Sequence, residues 1–270
     1  MDDNPEWTTG RVTLRINGQP VDLEMTVPAK PVKLHRILPI FQQLTNTFVD
    51  AGVAAAEASG EAISCKAGCG ACCRQPVPIS EAEVYQIAEL VEAMPEPRRS
   101  AIKTRFAEGV AQVRAAGWFD AFDACVERGR AMPYEAAAQQ QVDVVLQYFR
   151  HGVPCPFLEQ ESCSIHADRP LACREYLVTS PAERCADPRA GTVRKIDVVL
   201  RPSRSVAAIS RSGRMNDHGL LLLVLALELA ARHPEAAPEK TGSDWMMEFF
   251  RHATGAAAEE SPAVPPARGT

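Results

Sequence analysis

The segment "CKAGCGACC", Cys65 to Cys73, gathers four of the chain's nine cysteines into one short stretch. Crowded thiols can form disulfides, cycle as a redox couple, hold zinc, or hold an iron–sulfur cluster. The spacing is C-x3-C-x2-C-C, through Cys65, Cys69, Cys72 and Cys73. A second stretch, "CPFLEQESCSIHADRPLACREY", spells C-x7-C-x9-C through Cys155, Cys163 and Cys173, and Cys185 follows ahead of Asp187-Pro188. Thiolates brought together without a cation raise one another's pKa by repulsion, and a soft metal centre removes that conflict. Gly68 and Gly70 bracket Cys69, which gives the backbone freedom for a tight wrap. Cysteines acting only as small core residues would not cluster in a Gly-rich loop. The pattern therefore points to metal.

The choice of centre follows from asymmetry. Structural zinc usually joins two C-x2-C knuckles. Cys69 and Cys72 form one such knuckle, and the second stretch offers no matching pair. Iron–sulfur clusters commonly take several thiolates from one loop and another from a distant point. An iron–sulfur cluster is thus the first reading and zinc the second, and eight cysteines could serve two sites. Side chains of the adjacent Cys72 and Cys73 are expected to diverge. C-x3-C-x2-C is also the spacing of radical S-adenosylmethionine enzymes. Ala71 replaces their usual aromatic residue, and the repeated strand–helix alternation of their barrel is missing.

"ISCKAGCGACCRQPVPISEAEV" followed by "CPFLEQESCSIHADRPLACREY" resembles the YkgJ-like cysteine cluster family, a zinc- or iron-chelating domain. The resemblance runs from about Ile63 to Tyr176. It implies that Cys65, Cys69, Cys72, Cys73, Cys155, Cys163 and Cys173 are metal ligands, to which Cys185 is added as a candidate. Family members often carry tyrosine where this chain has His166. Flagellin lysine methylases resemble the same cysteine region, which implies that an enzyme could use such a module.

The elements that must position these loops read as mainly α with a small β component, an N-terminal hairpin. "VTLRINGQPVDLEMTV" alternates apolar and polar residues on either side of Asn17-Gly18, so it predicts that hairpin. From Pro31 to about Ala58, Leu34, Leu38, Phe41, Leu44 and Phe48 fall at helical spacing, with Pro39 kinking or restarting the helix. The Gly/Pro-rich stretch 60–80 reads as loop. Ser80 and Glu83 form a capping box that opens the next helix. Ile102, Phe106, Val110 and Val113 mark another helix after Glu96-Pro97. Tyr134–Phe149 marks one more, with Val142, Val145 and Leu146 as its apolar residues. "TVRKIDVVL" predicts a strand, and Leu220–Ala231 and Trp245–His252 predict helices. The expected organisation is a hairpin segment over 1–30, the cysteine cluster domain over 31–200, a helical extension over 201–252 and a disordered tail over 253–270.

Composition excludes several functions. With 46% hydrophobic and 23% charged residues the chain reads as an ordinary globular protein, and its net charge of −5 offers no field for nucleic acid. The longest apolar run, "LLLLVLAL", is broken by Glu228 and falls far short of the ~20 residues of a spanning helix. The acidic N-terminus lacks the basic and apolar regions of a secretory signal, so the cytoplasm is the expected compartment. Reducing conditions there, and the odd cysteine count, disfavour a disulfide framework.

Among the remaining residues, Arg169 and Arg174 flank Cys173 and could bond to ligating sulfur or to carboxylates. His166 follows Cys163 by three residues and reads as a polar loop residue. Cys125, in a segment of helical character, reads as core packing. No Ser–His–Asp set, phosphate loop or dinucleotide fingerprint is present. Three functions remain: a metal-binding protein, a methylase-like enzyme using the centre, and a thiol switch at Cys72–Cys73 or Cys69–Cys72.

Overall fold

The computed structural model describes residues 6–16, 19–189, 191–216 and 221–254. The expected turn at Asn17-Gly18 lies outside them, as do His218, Leu220 and the tail from Gly255 onward. The fold is mainly helical with little strand.

Strands β1 (Trp7–Ile16) and β2 (Gln19–Pro28) pair antiparallel, from Trp7 opposite Pro28 to Ile16 opposite Gln19. Period-2 alternation sends Val12, Leu14, Leu23 and Met25 against the core. The other face carries cross-strand polar pairs, Thr9 with Thr26, Arg11 with Glu24 and Thr13 with Asp22. A 3₁₀ turn over Leu34–Ile37 leads into α1 (Leu38–Ala58). Pro39 sits in the first turn of α1, where its missing N–H has no intrahelical partner to lose, so it starts the helix and does not kink it.

After a long loop, the two-residue strand β3 (Pro78–Ile79) precedes α2 (Glu81–Glu92). The capping box forms as expected: the Glu83 N–H donates to Ser80 Oγ at 3.2 Å, and the Ser80 N–H donates to Glu83 Oε2 at 2.8 Å. Helices α3 (Arg98–Ala115), α4 (Trp118–Gly129) and α5 (Tyr134–Arg150) follow. Trp118 anchors the last two, stacked on Phe122 at 5.0 Å and donating from Nε1 to the Val144 carbonyl at 2.9 Å. On α5, Val142 is exposed, so the apolar face of that helix differs from the one its sequence suggests.

Hairpin strands β4 (Leu158–Glu159) and β5 (Ser162–Cys163) and the short helix α6 (Leu171–Arg174) carry the second cysteine stretch. Helix α7 (Pro202–Ser210) follows, then β6 (Leu221–Leu222), α8 (Ala226–Arg232) and α9 (Gly242–Thr254). Ala253 and Thr254 close α9. One core joins α1 and α9, with Phe41 and Phe249 4.9 Å apart, to Leu171 and Val206. A second joins α2 and α3 to Phe157, Ile165 and Leu221.

Two expectations are corrected. Residues 192–200 form no strand. Ile196 and Val198 are buried, which produces the alternation. The segment bonds only briefly to 177–179, through Ile196 N–H to the Leu177 carbonyl and Thr179 N–H to the Arg194 carbonyl, each at 3.0 Å. It lies instead against α1, where a β-carbon on Gly52 would come within 2.6 Å of the Asp197 carbonyl oxygen. The run expected as one helix from Leu220 begins, in its described part, as β6 paired with β3, continues as a 3₁₀ turn over Leu223–Leu225, and becomes α-helical only at Ala226. Leu221, Leu222, Leu223 and Val224 are all buried, and an apolar run buried on every side carries no periodicity from which to tell strand from helix.

Candidate metal centre

The two cysteine loops meet. The Cys155 N–H donates to the Cys73 carbonyl at 2.7 Å. Arg74 clamps Glu161 with two bonds of 3.0 and 2.6 Å. Between these ties the backbones press together at Gly70, where a β-carbon would lie 2.5 Å from the Glu161 carbonyl oxygen and 2.6 Å from Leu158 Cδ1. Gly68 adopts φ +80°, a left-handed conformation that other residues reach only with strain. Each glycine beside Cys69 thus has its own steric reason. The first loop is pinned at its start as well, by the Ser64 N–H on the Val178 carbonyl at 2.9 Å.

The result is one cavity of about 240 Å³ whose wall includes all eight candidate cysteines: Cys65, Cys69, Cys72, Cys73, Cys155, Cys163, Cys173 and Cys185. Cys125 is buried in α4 and does not line it. All nine cysteines are free. Among the described residues, no three His, Cys, Asp or Glu side chains draw together closely enough to hold a single ion. The sulfurs are distributed around a wall.

Their environment favours the thiolate at specific points. Backbone N–H groups bond to four sulfurs: Val178 to Cys65, Phe157 to Cys155, Ile165 to Cys163, and the Cys72 N–H to its own sulfur. Such bonds stabilise a charged sulfur. Arg169 lines the cavity and its positive charge acts in the same sense on Cys65, Cys72 and Cys163. Burial opposes them. It pushes the Cys155 thiol up to about 12 and that of Cys185 up to about 11, and it raises Cys173 well above its ordinary value. The Cys72 thiol is raised first by its hydrogen bond to Cys73 and then by burial, so these adjacent side chains touch, against the expectation that they diverge. Protonated, buried thiols crowded around one space form a donor set that a soft cation would relieve.

Other residues fall in definite places. His166 lines the cavity and its Nε2 lies 2.9 Å from Arg169 Nη1. Arg174 does not reach sulfur. Its guanidinium binds the Arg169 and Ala167 carbonyls and Asn46 Oδ1, cross-tying the turn that precedes Cys173 to α1. Two features were not read from the sequence. Tyr176 lines the cavity and donates its hydroxyl to Cys185. Glu83, fully enclosed, caps α2 and also accepts the Leu171 N–H at 2.8 Å, which fixes the start of the helix carrying Cys173. The final "EY" of "CREY" was the signal available for Tyr176. For the second role of Glu83 there was none.

Residues 64–192 match a family model described as a "putative zinc- or iron-chelating domain", whose pattern of cysteines is CxxCxxCC. The match extends past Tyr176 and takes in Cys185. No curated protein and no solved structure matches the chain. Among the described residues no helix is long and apolar enough to cross a membrane.

Proposed function

We propose, from the match of residues 64–192 to a zinc- or iron-chelating domain, that this protein holds an iron–sulfur centre on thiolates from both loops. The ligands are drawn from Cys65, Cys69, Cys72, Cys73, Cys155, Cys163, Cys173 and Cys185. The observation that carries the reading is the single cavity these eight side chains line, built from two loops more than seventy residues apart in sequence.

Three points favour a cluster over one zinc ion. Iron–sulfur centres take four thiolates each, and eight sulfurs around a shared space supply enough for one or two. The cavity, of about 240 Å³, has more room than a single ion needs. Backbone N–H bonds to the sulfurs of Cys65, Cys155 and Cys163 are the kind of contact that stabilises a cluster and sets its potential. When bound, the centre supplies electron storage or structural cross-linking. The chain's own residues deliver the sulfurs, hold Arg169 as countercharge and keep Cys185 oriented through Tyr176. Nine free thiols fit a reducing compartment such as the cytoplasm. The Cys69–Cys72 knuckle supports zinc as the second reading.

The test is anaerobic purification followed by elemental analysis, acid-labile sulfide assay and an ultraviolet–visible spectrum. Iron with stoichiometric sulfide is expected. Zinc without iron would replace the cluster with the second reading. A folded protein that binds neither metal on reconstitution would end both.

A further inference from the structure

A second cavity, of about 410 Å³, backs onto the first and shares Gln75, Val77, Cys173 and Tyr176 with it. Tyr176 faces both. Its hydroxyl bonds to Cys185 in the cysteine cavity, while the Lys195 ammonium sits 4.7 Å from its ring centroid. Lys195, Arg201 and Arg204 all line the second cavity. Among the described residues none of these three side chains makes an ion pair or a side-chain hydrogen bond.

The cavity also holds two carboxylates, but their oxygens are engaged with other donors. Glu83 takes the Ser80 and Leu171 N–H groups, and Glu175 takes the N–H and hydroxyl of Ser203 at 2.7 and 2.6 Å. Three cations therefore face two carboxylates that already bind backbone, which leaves the wall with a net formal charge of +1. Phe122, Val145 and Leu222 supply apolar wall on the same cavity. Its volume is that of an ordinary small-molecule site. Guanidinium groups pair with planar or tetrahedral oxyanions through two bonds at once.

We propose that this cavity binds a small organic anion, with a doubly charged headgroup on Lys195, Arg201 and Arg204 and an apolar body against Phe122, Val145 and Leu222. The bound anion lies one side chain away from the thiol of Cys173. The inference stands on this cavity's own residues and does not require the metal reading to hold.

The test uses the full chain with whatever metal it retains, titrated calorimetrically at low salt with phenyl phosphate and with phthalate. Benzyl alcohol serves as the neutral control. Saturable binding at one site per chain is expected for at least one of the two anions, and which one binds separates phosphate from dicarboxylate. Arg201→Ala and Arg204→Ala should each weaken it about tenfold, the scale of a lost charge-assisted hydrogen bond. Lys195→Ala, on an exposed residue that threatens the fold least, should weaken it in the same direction. Arg232→Ala, on the ion-paired α8, should leave it unchanged. The inference fails if neither anion binds saturably, if benzyl alcohol binds equally well, or if the three pocket variants, folded by circular dichroism, bind like the parent. Metal content measured on the same samples separates the two readings. Anion binding without metal would overturn only the centre, and metal without anion binding only this pocket.

Discussion

Glu83 Oε1 accepts the backbone N–H of Leu171 at 2.8 Å, joining residues 88 positions apart in the chain. Its other oxygen closes the α2 capping box, so one buried carboxylate fixes the starts of two helices, the second of which carries Cys173. Burial pushes the Glu83 carboxyl up, and its backbone bonds pull the other way. Glu83→Gln turns an amide N–H₂ toward backbone N–H donors and removes the charge they solvate. A loss of about 2–3 kcal/mol is expected, given that an unsatisfied buried group and a weakened charged bond each contribute on that scale. Urea melts would measure it, and metal content should fall with it because α6 loses its anchor.

The contact at Gly70 makes a steric prediction. Gly70→Ala places a β-carbon against a backbone carbonyl, so the loops must separate. About 1–3 kcal/mol should be lost, as in other overpacked sites, together with metal retention. Gly68→Ala meets no neighbouring atom within 4 Å but is strained at φ +80°. It should cost about 1–2 kcal/mol with a smaller effect on metal. Equal metal loss in the two variants would show that loop contact is not what matters.

Ligand assignment is tested by cysteine replacement. Cys69→Ser and Cys173→Ser should lower metal content and increase protease cleavage within 63–80 and 153–188. Phe157, Ile165 and Leu171 anchor these segments in the cores, but the irregular backbone between the anchors is ordered by ligation, where metal binding becomes folding energy. Cys125→Ser should keep the metal while destabilising by about 1–3 kcal/mol, the cost of a buried hydroxyl. Metal lost from Cys125→Ser and kept in Cys69→Ser would reverse the assignment.

The thiols also predict a pH dependence for metal-free protein. Cys155 and Cys185 are pushed up from 9.0 to about 12 and about 11, chiefly by burial. A folded pKa above the unfolded one means the neutral thiol favours folding. That contribution is whole below pH 9 and lost as pH rises through about 11 to 12. Denaturant midpoints of metal-free protein should therefore fall above pH 9, and less so in Cys185→Ser. With metal bound the sign reverses at the other end: protons compete for the sulfurs, so acidification should release the metal.

The sequence alone determined the donor chemistry. Four cysteines from Cys65 to Cys73, with a second set from Cys155 onward, specify a soft thiol donor set whatever the fold. The hairpin strands, the capping box and the amphipathic α1, α3 and α9 were equally legible, because alternation, caps and helical spacing are local signals. What needed the tertiary structure was every relationship between distant segments. The hairpin β4–β5 turns on Gln160 and Glu161, both at positive φ, where the usual Asn or Gly signal is missing. Residues 192–200 alternate because they lie half-buried on α1, and the run from Leu221 is apolar all round, so neither local pattern reports its true conformation. Gly70 read as backbone freedom for a tight wrap and proved to be a point of close contact between the loops. Cys185 joined the other seven cysteines, and Tyr176 came to bridge two cavities, only because chain closure brought the loops together. Side-chain type is written along the chain, whereas the distance between side chains is fixed by packing.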